Sequence, residues 1–356
     1  MKKKKLEDLR QMIDKIDSSI IDLLNKRGVL SSQIGEIKKR KNQAIYAPDR
    51  ESQIYKTLAK KNPGPLADES LKAVYREIMS ACLSLEVPLK VAYLGPELTF
   101  THQVSLKKFG ASVSYLSCNN IKDVFQEVEN DNADYGVVPI ENSIEGAVNH
   151  TLDMFFNSPL LICSEITFRI RHSLLSRAGS KKSIKRIYSK PQVFGQCRNW
   201  IEKNIPWARL REASSTAKAA EIASRHKDSA CIASRLAAKQ YDLKVLAESV
   251  EDSANNVTRF LVIGKNMSKR SGEDKTSVLF SVKDKPGVLH DMLSPFKNKG
   301  LNLTKIESRP SKLQPWQYYF FVDIEGHCDE DNLKKALKDL GKKCNFLKIL
   351  GSYPIG

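Results

Sequence analysis

Apolar residues at the start of the chain step by three and four: Leu6, Leu9, Ile13, Ile16, Ile20, Leu23, Leu30, Ile34 and Ile37, with Arg27 where the pattern asks for another. This is a heptad seam of more than four repeats, and it predicts one helix of roughly 50 Å at 1.5 Å per residue. Gly28 and Gly35 are its weak points, and Asn42 and Pro48 end it. Two shorter helical patterns follow over 49–60 and 68–86, separated by Asn62-Pro63-Gly64-Pro65 and closed by a hinge at Pro88. One long helix and two short ones cannot bury such a seam alone, so an intertwined dimer is the expected solution.

From 89 to 265 the texture changes. Short apolar runs at 90–94, 135–140, 160–163, 230–233 and 260–263 alternate with helical stretches at 99–109, 121–129, 191–203, 214–224 and 235–240. That alternation predicts α/β architecture with a largely parallel sheet and a ligand at strand C-terminal ends. The polar, glycine-bearing stretch 266–275 reads as a linker. Beyond it, strand 276–282, helix 286–299, strands 301–307 and 317–324, helix 331–340 and strand 346–350 give the ferredoxin-like order βαββαβ. Three domains are expected: 1–88, 89–265 and 276–356.

Composition narrows the class. With 41% hydrophobic residues in 356, a real core can form. The formal charge, 58 − 41 = +17, favours anionic partners, yet no reader helix or aromatic stacking platform for nucleic acid is present. No apolar run reaches the roughly 18–20 residues of a membrane helix. The lysines at 2–5 lead into an amphipathic helix and no apolar h-region, so a cytoplasmic chain is expected. Seven cysteines lie scattered without a C-x-x-C pair, and six histidines are equally dispersed. This reads as reduced thiols and no metal site. Arg27 and Lys38, eleven residues apart, project from nearly the same helix face. Cations facing a helical core are costly unless anions meet them. Asp22 or Glu36 at the surface would serve, or the pair would fix the register.

The motifs then bear on function. They are Leu94-Gly95-Pro96-Glu97-Leu98-Thr99-Phe100, Val138-Pro139-Ile140-Glu141-Asn142-Ser143-Ile144-Glu145-Gly146-Ala147-Val148, Tyr188-Ser189-Lys190-Pro191-Gln192, Ser214-Ser215-Thr216-Ala217, Thr258-Arg259-Phe260, Gly287-Val288-Leu289-His290 and Glu307-Ser308-Arg309-Pro310. In this order and spacing, the whole chain resembles the bacterial P-protein family, bifunctional chorismate mutase–prephenate dehydratases with a C-terminal ACT regulatory domain. The resemblance implies an all-helical intertwined mutase domain, a two-lobed α/β dehydratase domain like periplasmic binding proteins, and a ferredoxin-like ACT domain. Leu98 departs from a usual glycine, and His290 from a usual leucine.

For the mutase, the resemblance implies that Arg27, with Arg10 reaching across from a partner, grips the carboxylates of chorismate. Lys38 donates to the ether oxygen, Glu51 holds the hydroxyl and Arg50 braces the site. The rearrangement needs no covalent chemistry, only restraint of the reactive conformer and stabilised charge. Glu86 aligns where some relatives have a neutral glutamine; as a donor it must be protonated, so mutase activity is expected to fall as Glu86 ionises. Ala47 and Cys82 depart from the family's aspartate and serine. For the dehydratase, Thr258 is the implied donor to the departing hydroxyl. Asn142, Ser189, Gln196, Thr216, His172 and Arg259 are substrate-binding candidates, with Gln192 beside them and Arg259 alternatively a brace. Glu141 and Glu145 are read as surface or bracing groups. L-Phenylalanine is expected between paired ACT domains, among Gly287, Val288, Leu289, His290, Asn302, Glu307, Ser308, Arg309 and Pro310, the last four alternatively structural glue. No cofactor and no metal are implied. A homodimer is expected, with pairing into a tetramer left open. The alternatives are a dehydratase with an impaired mutase and a catalytically silent, amino-acid-sensing binding protein on the same fold; the intact Thr258, Asn142 and Gln196 count against the second.

Overall fold

The computed structural model describes residues 6–41, 43–282, 286–310 and 318–356. The chain divides into two compact units, residues 1–90 with 108–114, and residues 91–107 with 115–356.

In the first unit the seam becomes α1 (Leu6–Arg40), followed by α2 (Pro48–Lys61) and α3 (Asp68–Glu86). Pro48 opens α2, where its missing N–H is no loss, and Lys60 and Lys61 close it against the helix dipole. The side of α1 that packs is not the seam. Leu6, Ile13, Ile16 and Leu30 are more than half exposed, whereas the buried positions of α1 are Gly28 and Gly35. A Cβ on Gly35 would lie 2.8 Å from Glu86 Cα, and one on Gly28 3.2 Å from Leu85 Cδ1. The expected weak points are therefore where α1 and α3 approach, which only glycine permits so closely.

Among the described residues the second unit holds three sheets. The first is six-stranded, in the order β2 (Ser114–Cys118), β1 (Lys90–Leu94), β3 (Tyr135–Asn142), β11 (Val257–Gly264) and β5 (Leu161–Arg169), with β4 (Gly146–Ala147) on β3. Helices α5 (Ile121–Glu129) and α6 (Asn149–Asn157) share its core; α4 (Phe100–Phe109) follows β1. The second sheet runs β10 (Lys244–Ala247), β6 (Ser173–Ser176), β9 (Ser229–Ala233), β7 (Arg186–Ser189) and β8 (Arg209–Glu212). Its core takes in α7 (Pro191–Gln196) and α8 (Arg198–Asn204) in one cluster, and α9 (Thr216–Ser224) and α10 (Arg235–Gln240) in another.

The expected largely parallel sheet is not what forms. β1–β3, β7–β8 and β7–β9 are parallel, but β11 is antiparallel to β3 and β5, and β6 to β9 and β10. β11 returns from the second sheet and enters the first from the opposite end to β3. The predicted helix 191–203 breaks at Cys197, where ψ is 14°. Strands such as β8, exposed throughout, carry no apolar run by which to find them.

The third sheet bears out the βαββαβ order: β12 (Asp274–Ser281), α11 (Val288–Asn298), β13 (Leu303–Pro310), β14 (Tyr318–Glu325), α12 (Asp331–Gly341) and β15 (Phe346–Pro354). Its strands lie β13-β14-β12-β15, antiparallel throughout. One face covers α11 and α12, while Leu279, Phe321, Leu350 and Tyr353 from the other join the core of the first sheet. The predicted strand start at 317 lies outside the described residues. The stretch read as a linker is tied down: Ser268 Oγ donates to Cys163 O at 2.5 Å, and the buried Asp274 accepts from the Ser271 and Gly272 N–H groups. All seven cysteines are free thiols. Among the described residues no helix is long and apolar enough to cross a membrane.

Candidate active sites

The first unit encloses a cavity of about 470 Å³. Arg27, Ser31 and Lys38 reach it from α1, spaced four and seven residues apart and so on one face. Ala47, Arg50 and Glu51 come from the start of α2, and Cys82 and Glu86 from the end of α3. The fold thus brings together five of the six mutase candidates. Arg10 is the exception. It is exposed, 3.8 Å from Glu7, and seventeen residues of helix put it about 25 Å from Arg27.

Two carboxylates anchor this cavity. Glu86 accepts from Ser31 Oγ at 2.8 Å and from Lys38 Nζ at 3.0 Å, while Lys38 also donates to Ile45 O at 2.6 Å. Both Glu86 oxygens accept here, which is not the arrangement of a donating acid. Glu51 accepts from the Tyr46 hydroxyl at 2.8 Å and pairs with Lys108 at 3.0 Å. Sequence reading missed Lys108, which carries no motif, and Ser31, which four-residue spacing from Arg27 would have found. Cations Arg27, Lys38, Arg50, Arg76 and Lys108 outnumber Glu51 and Glu86 on the lining, the balance a small dianion requires.

The second cavity, about 780 Å³, lies wholly in the second unit and is lined by loops from its first two sheets. Asn142, His172, Gln192, Gln196, Thr216 and Thr258 all reach it. Its centre is a chain of hydrogen bonds with defined direction. Asn142 Oδ1 accepts from the Ile144 and Glu145 N–H groups, so its Nδ2 donates, to Thr258 Oγ1 at 2.8 Å and Asn256 Oδ1 at 2.8 Å. Asn256 Nδ2 donates to Gln196 Oε1 at 2.9 Å, where His172 Nε2 also lies at 3.0 Å. With its oxygen already accepting, the Thr258 hydroxyl keeps its own proton to give. Asn256, fully buried, was missed; it stands two residues before Thr258, and the period of a strand would have put both on one face.

Burial pushes the His172 imidazole below its ordinary 6.5, against the raising influence of Gln196 and Glu251. Gln196 Oε1 can only accept, which assigns the proton to Nε2, and Nδ1 is buried with no hydrogen-bond partner among the described residues. The N-terminus of α9 faces the same cavity through Ser215 and Thr216, so its free backbone N–H groups suit a carboxylate.

Two candidates do not reach the cavity. Ser189 is fully buried and donates to Ile232 O at 2.7 Å. Arg259 points to the other face of β11, because neighbours on a strand alternate. There its Nε donates to Glu165 at 2.6 Å, Nη1 to Asp323 at 2.5 Å and Nη2 to the Tyr353 hydroxyl at 2.9 Å. Of the two roles left open for it, the brace is the one the geometry fits. Leu98, standing where a glycine is usual, has φ of 69°, the left-handed region.

The ACT candidates divide. Gly287 caps α11 with φ of 77°, Val288 packs on the ACT core, and Leu289 and His290 are exposed beyond it. Asn302 is exposed, its carbonyl accepting from Glu325 N–H. Along β13, Glu307 and Arg309 are partly covered while Ser308 and Pro310 are exposed. Arg309 pairs with Asp153 on α6 at 3.2 Å, so its guanidinium is held within the chain and acts as glue. Among the described residues one group of potential metal donors comes together, His327, Cys328 and Asp329. The histidine is already engaged by Ser268 O and Asp329 N–H.

Family models match for chorismate mutase type II over residues 9–87, prephenate dehydratase over 91–268 and the ACT domain over 276–342. The chain is 51% identical over 353 residues to a bifunctional chorismate mutase/prephenate dehydratase of Aquifex aeolicus, covering 98% of each. It is 43% identical over 355 residues to the protein of that description in Pseudomonas aeruginosa, covering 98% of this chain and 97% of that one. Among solved structures, a prephenate dehydratase of Arthrobacter aurescens in complex with L-Phe superposes with a TM-score of 0.69 at 34% identity, covering 75% of this chain and 90% of that one.

Proposed function

The chain belongs to the bifunctional chorismate mutase/prephenate dehydratase family, and from that premise we propose how its residues divide the work. It is an isomerase and a lyase in one polypeptide: chorismate rearranges to prephenate, and prephenate loses its ring hydroxyl and CO2 to give phenylpyruvate. The observation that carries the assignment of residues is the contrast between its cavities, one lined by excess cations on helices, the other by a directed hydrogen-bond chain ending at Thr258.

In the mutase site Arg27 grips a carboxylate of chorismate through its planar fork. Arg10 of a second copy supplies the other cation. Lys38, released from Glu86, stabilises the ether oxygen as its bond breaks, Glu51 takes the substrate hydroxyl, and Arg50 braces. The exposed seam of α1 is the surface a second copy covers, giving an intertwined homodimer; light scattering that finds a monomer at micromolar concentration refutes this. Replacing Glu86 by Gln tests the acid-donor role: a pH profile of mutase activity identical to the native one ends it.

In the dehydratase site the helix N-terminus at Thr216 takes a carboxylate of prephenate, and Thr258 gives a hydrogen bond to the departing hydroxyl while Asn142, Asn256 and Gln196 hold it in line. Thr258 acts as one donor in a preorganised network, since a threonine hydroxyl is a poor acid alone. L-Phenylalanine binds at paired ACT domains, near Gly287–His290, and lowers the dehydratase rate by population shift. The L-Phe complex of the Arthrobacter relative supports this reading. Seven free thiols suit a cytoplasmic setting.

The test is one incubation with chorismate, quenched in base because acid converts prephenate to phenylpyruvate unaided. Phenylpyruvate is expected. Accumulated prephenate without it refutes the dehydratase roles, and intact chorismate refutes the mutase roles. A dehydratase rate unmoved by saturating phenylalanine refutes the effector.

A further inference from the structure

Strands β3 and β11 pair antiparallel, with Asn142 opposite Thr258 and Glu141 opposite Arg259. The first cross-strand pair faces the dehydratase cavity and is joined by the 2.8 Å hydrogen bond already described. The second, one residue along, faces the other side of the sheet. Both of its members are taken up by the C-terminal domain. Besides its bond to Glu165 on the adjacent β5, Arg259 is held by Asp323 on β14 and Tyr353 on β15, and Glu141 lies 2.8 Å from Lys305 Nζ on β13. Ser277 on β12 binds both Asp323 and Tyr353, so all four strands of the third sheet contribute to this cluster. The Arg259 half is buried, with side-chain exposure of 15% for Arg259 and 10% for Asp323; Lys305 is also at 10%, whereas the Glu141 side chain keeps 39%.

We propose that Asp323, Tyr353 and Lys305 are positioning residues of the dehydratase, holding the back of the Thr258–Asn142 pair from the ACT domain. The two pairs are adjacent residues of the same two strands and stay in regular register with each other, the shift in register falling just after Arg259. Shifting Arg259 or Glu141 by a fraction of an ångström therefore moves the donor Thr258 relative to the bound substrate. The charge-assisted bonds of Arg259 are short and directional, so they fix position better than apolar packing does, while Lys305 and Glu141 form an ion pair without hydrogen-bond geometry. Arg259 does not line the cavity, yet substitutions of its ACT partners reach the active site through it. The same cluster is the route by which a ligand on the ACT domain would be felt at Thr258, and only this second half rests on the effector role proposed above.

The experiment uses the full chain with Tyr353→Phe, which removes one hydroxyl from the cluster, and Asp323→Asn, which removes one charge. Expected is a fall in kcat for added prephenate of about threefold in the first and tenfold in the second, with KM within twofold and the mutase rate on chorismate unchanged. Saturating phenylalanine, added next, lowers the remaining rate by a smaller factor than in the native protein, while calorimetry still shows phenylalanine bound. A kcat within experimental error of native in both variants overturns the proposal. So does a loss of kcat with a matching fall in the unfolding temperature in Tyr353→Phe, which marks the cluster as merely structural. If the native protein ignores phenylalanine, the effector reading fails while kcat still decides the positioning role.

Discussion

The two cavities solve different problems with different materials. The mutase cavity is made of point charges on helices. Its cations outnumber its anions, and Arg10, a candidate for the same site, is out of reach in a single chain. The cavity assigned to the dehydratase is lined by residues of one chain, and its hydrogen bonds have direction: the donors in the line from Asn142 to Thr258 are fixed by what their other atoms accept. A pericyclic rearrangement asks for shape and diffuse charge, which tolerate small displacements. Expulsion of a hydroxyl asks for a proton in one place, which does not. Losing one group should therefore be graded in the first cavity and severe in the second.

The largest expected effect tests the second half of that statement. Thr258→Val keeps the volume and removes the donor, and a lost donor to developing charge costs about 10²–10³ in rate. Dehydratase kcat should fall by roughly that factor with mutase turnover of chorismate unchanged. A drop of less than tenfold would put the proton elsewhere and erase the contrast.

The mutase cavity breaks most readily at a residue that never touches substrate. Gly35→Ala places a methyl group where Glu86 Cα and Cβ lie 2.8 Å away, and backbone cannot step aside as a side chain can. Overpacking of this kind costs about 1–3 kcal/mol. Because Glu86 carries the displacement, its bonds to Ser31 and Lys38 loosen too. Mutase kcat/KM should fall about tenfold, and the dehydratase rate should not change. Gly35→Ala with native mutase kinetics would show that the close approach is incidental.

These residues also show what sequence could and could not reveal. The heptad steps, βαββαβ order and motif blocks all survive in the structure because apolar period and turn chemistry are local properties. The role of Gly28 and Gly35 was hidden, since nothing local distinguishes a glycine that weakens a helix from one that lets a neighbour approach. For Arg259 the motif left two roles open, because it names residues in a row while a strand sends alternate members to opposite faces, and Ser189 sits in a motif yet spends its hydroxyl on Ile232 O. Lys108 lies more than fifty positions from Glu51, and only the fold brings them together.

A pH series sharpens the comparison in another way. His172 is held below 6.5 by burial, so the folded chain binds fewer protons there than the unfolded one. Its contribution to stability is complete above pH 6.5 and is lost as pH falls through the depressed folded value. Protonation also gives the buried Nδ1 a hydrogen with no acceptor among the described residues. The dehydratase rate and unfolding temperature should both fall between pH 7 and pH 5, and His172→Gln should flatten the stability profile across that window. An unflattened profile would move the titration to other groups.

The smallest effect isolates a single backbone torsion. Leu98 sits at φ of 69°, where an L side chain costs roughly 1–2 kcal/mol and glycine almost nothing. Its carbonyl accepts from Ser234 Oγ at 3.0 Å and its N–H reaches His102 Nδ1 at 3.1 Å, so the surrounding contacts hold the torsion despite the side chain. Substituting glycine outright mixes relief of strain with loss of a half-buried side chain and a more flexible unfolded chain. The comparison of Leu98→Gly with Leu98→Ala removes the side-chain term, because both variants lose it. In ordinary backbone alanine is the more stable of the two by about 0.5–1 kcal/mol. Here the order should invert, with glycine ahead by about 1 kcal/mol in thermal or denaturant unfolding. If alanine remains ahead, Leu98 bears no strain, and this departure from the family's glycine needs no compensation from the loop beside the dehydratase cavity.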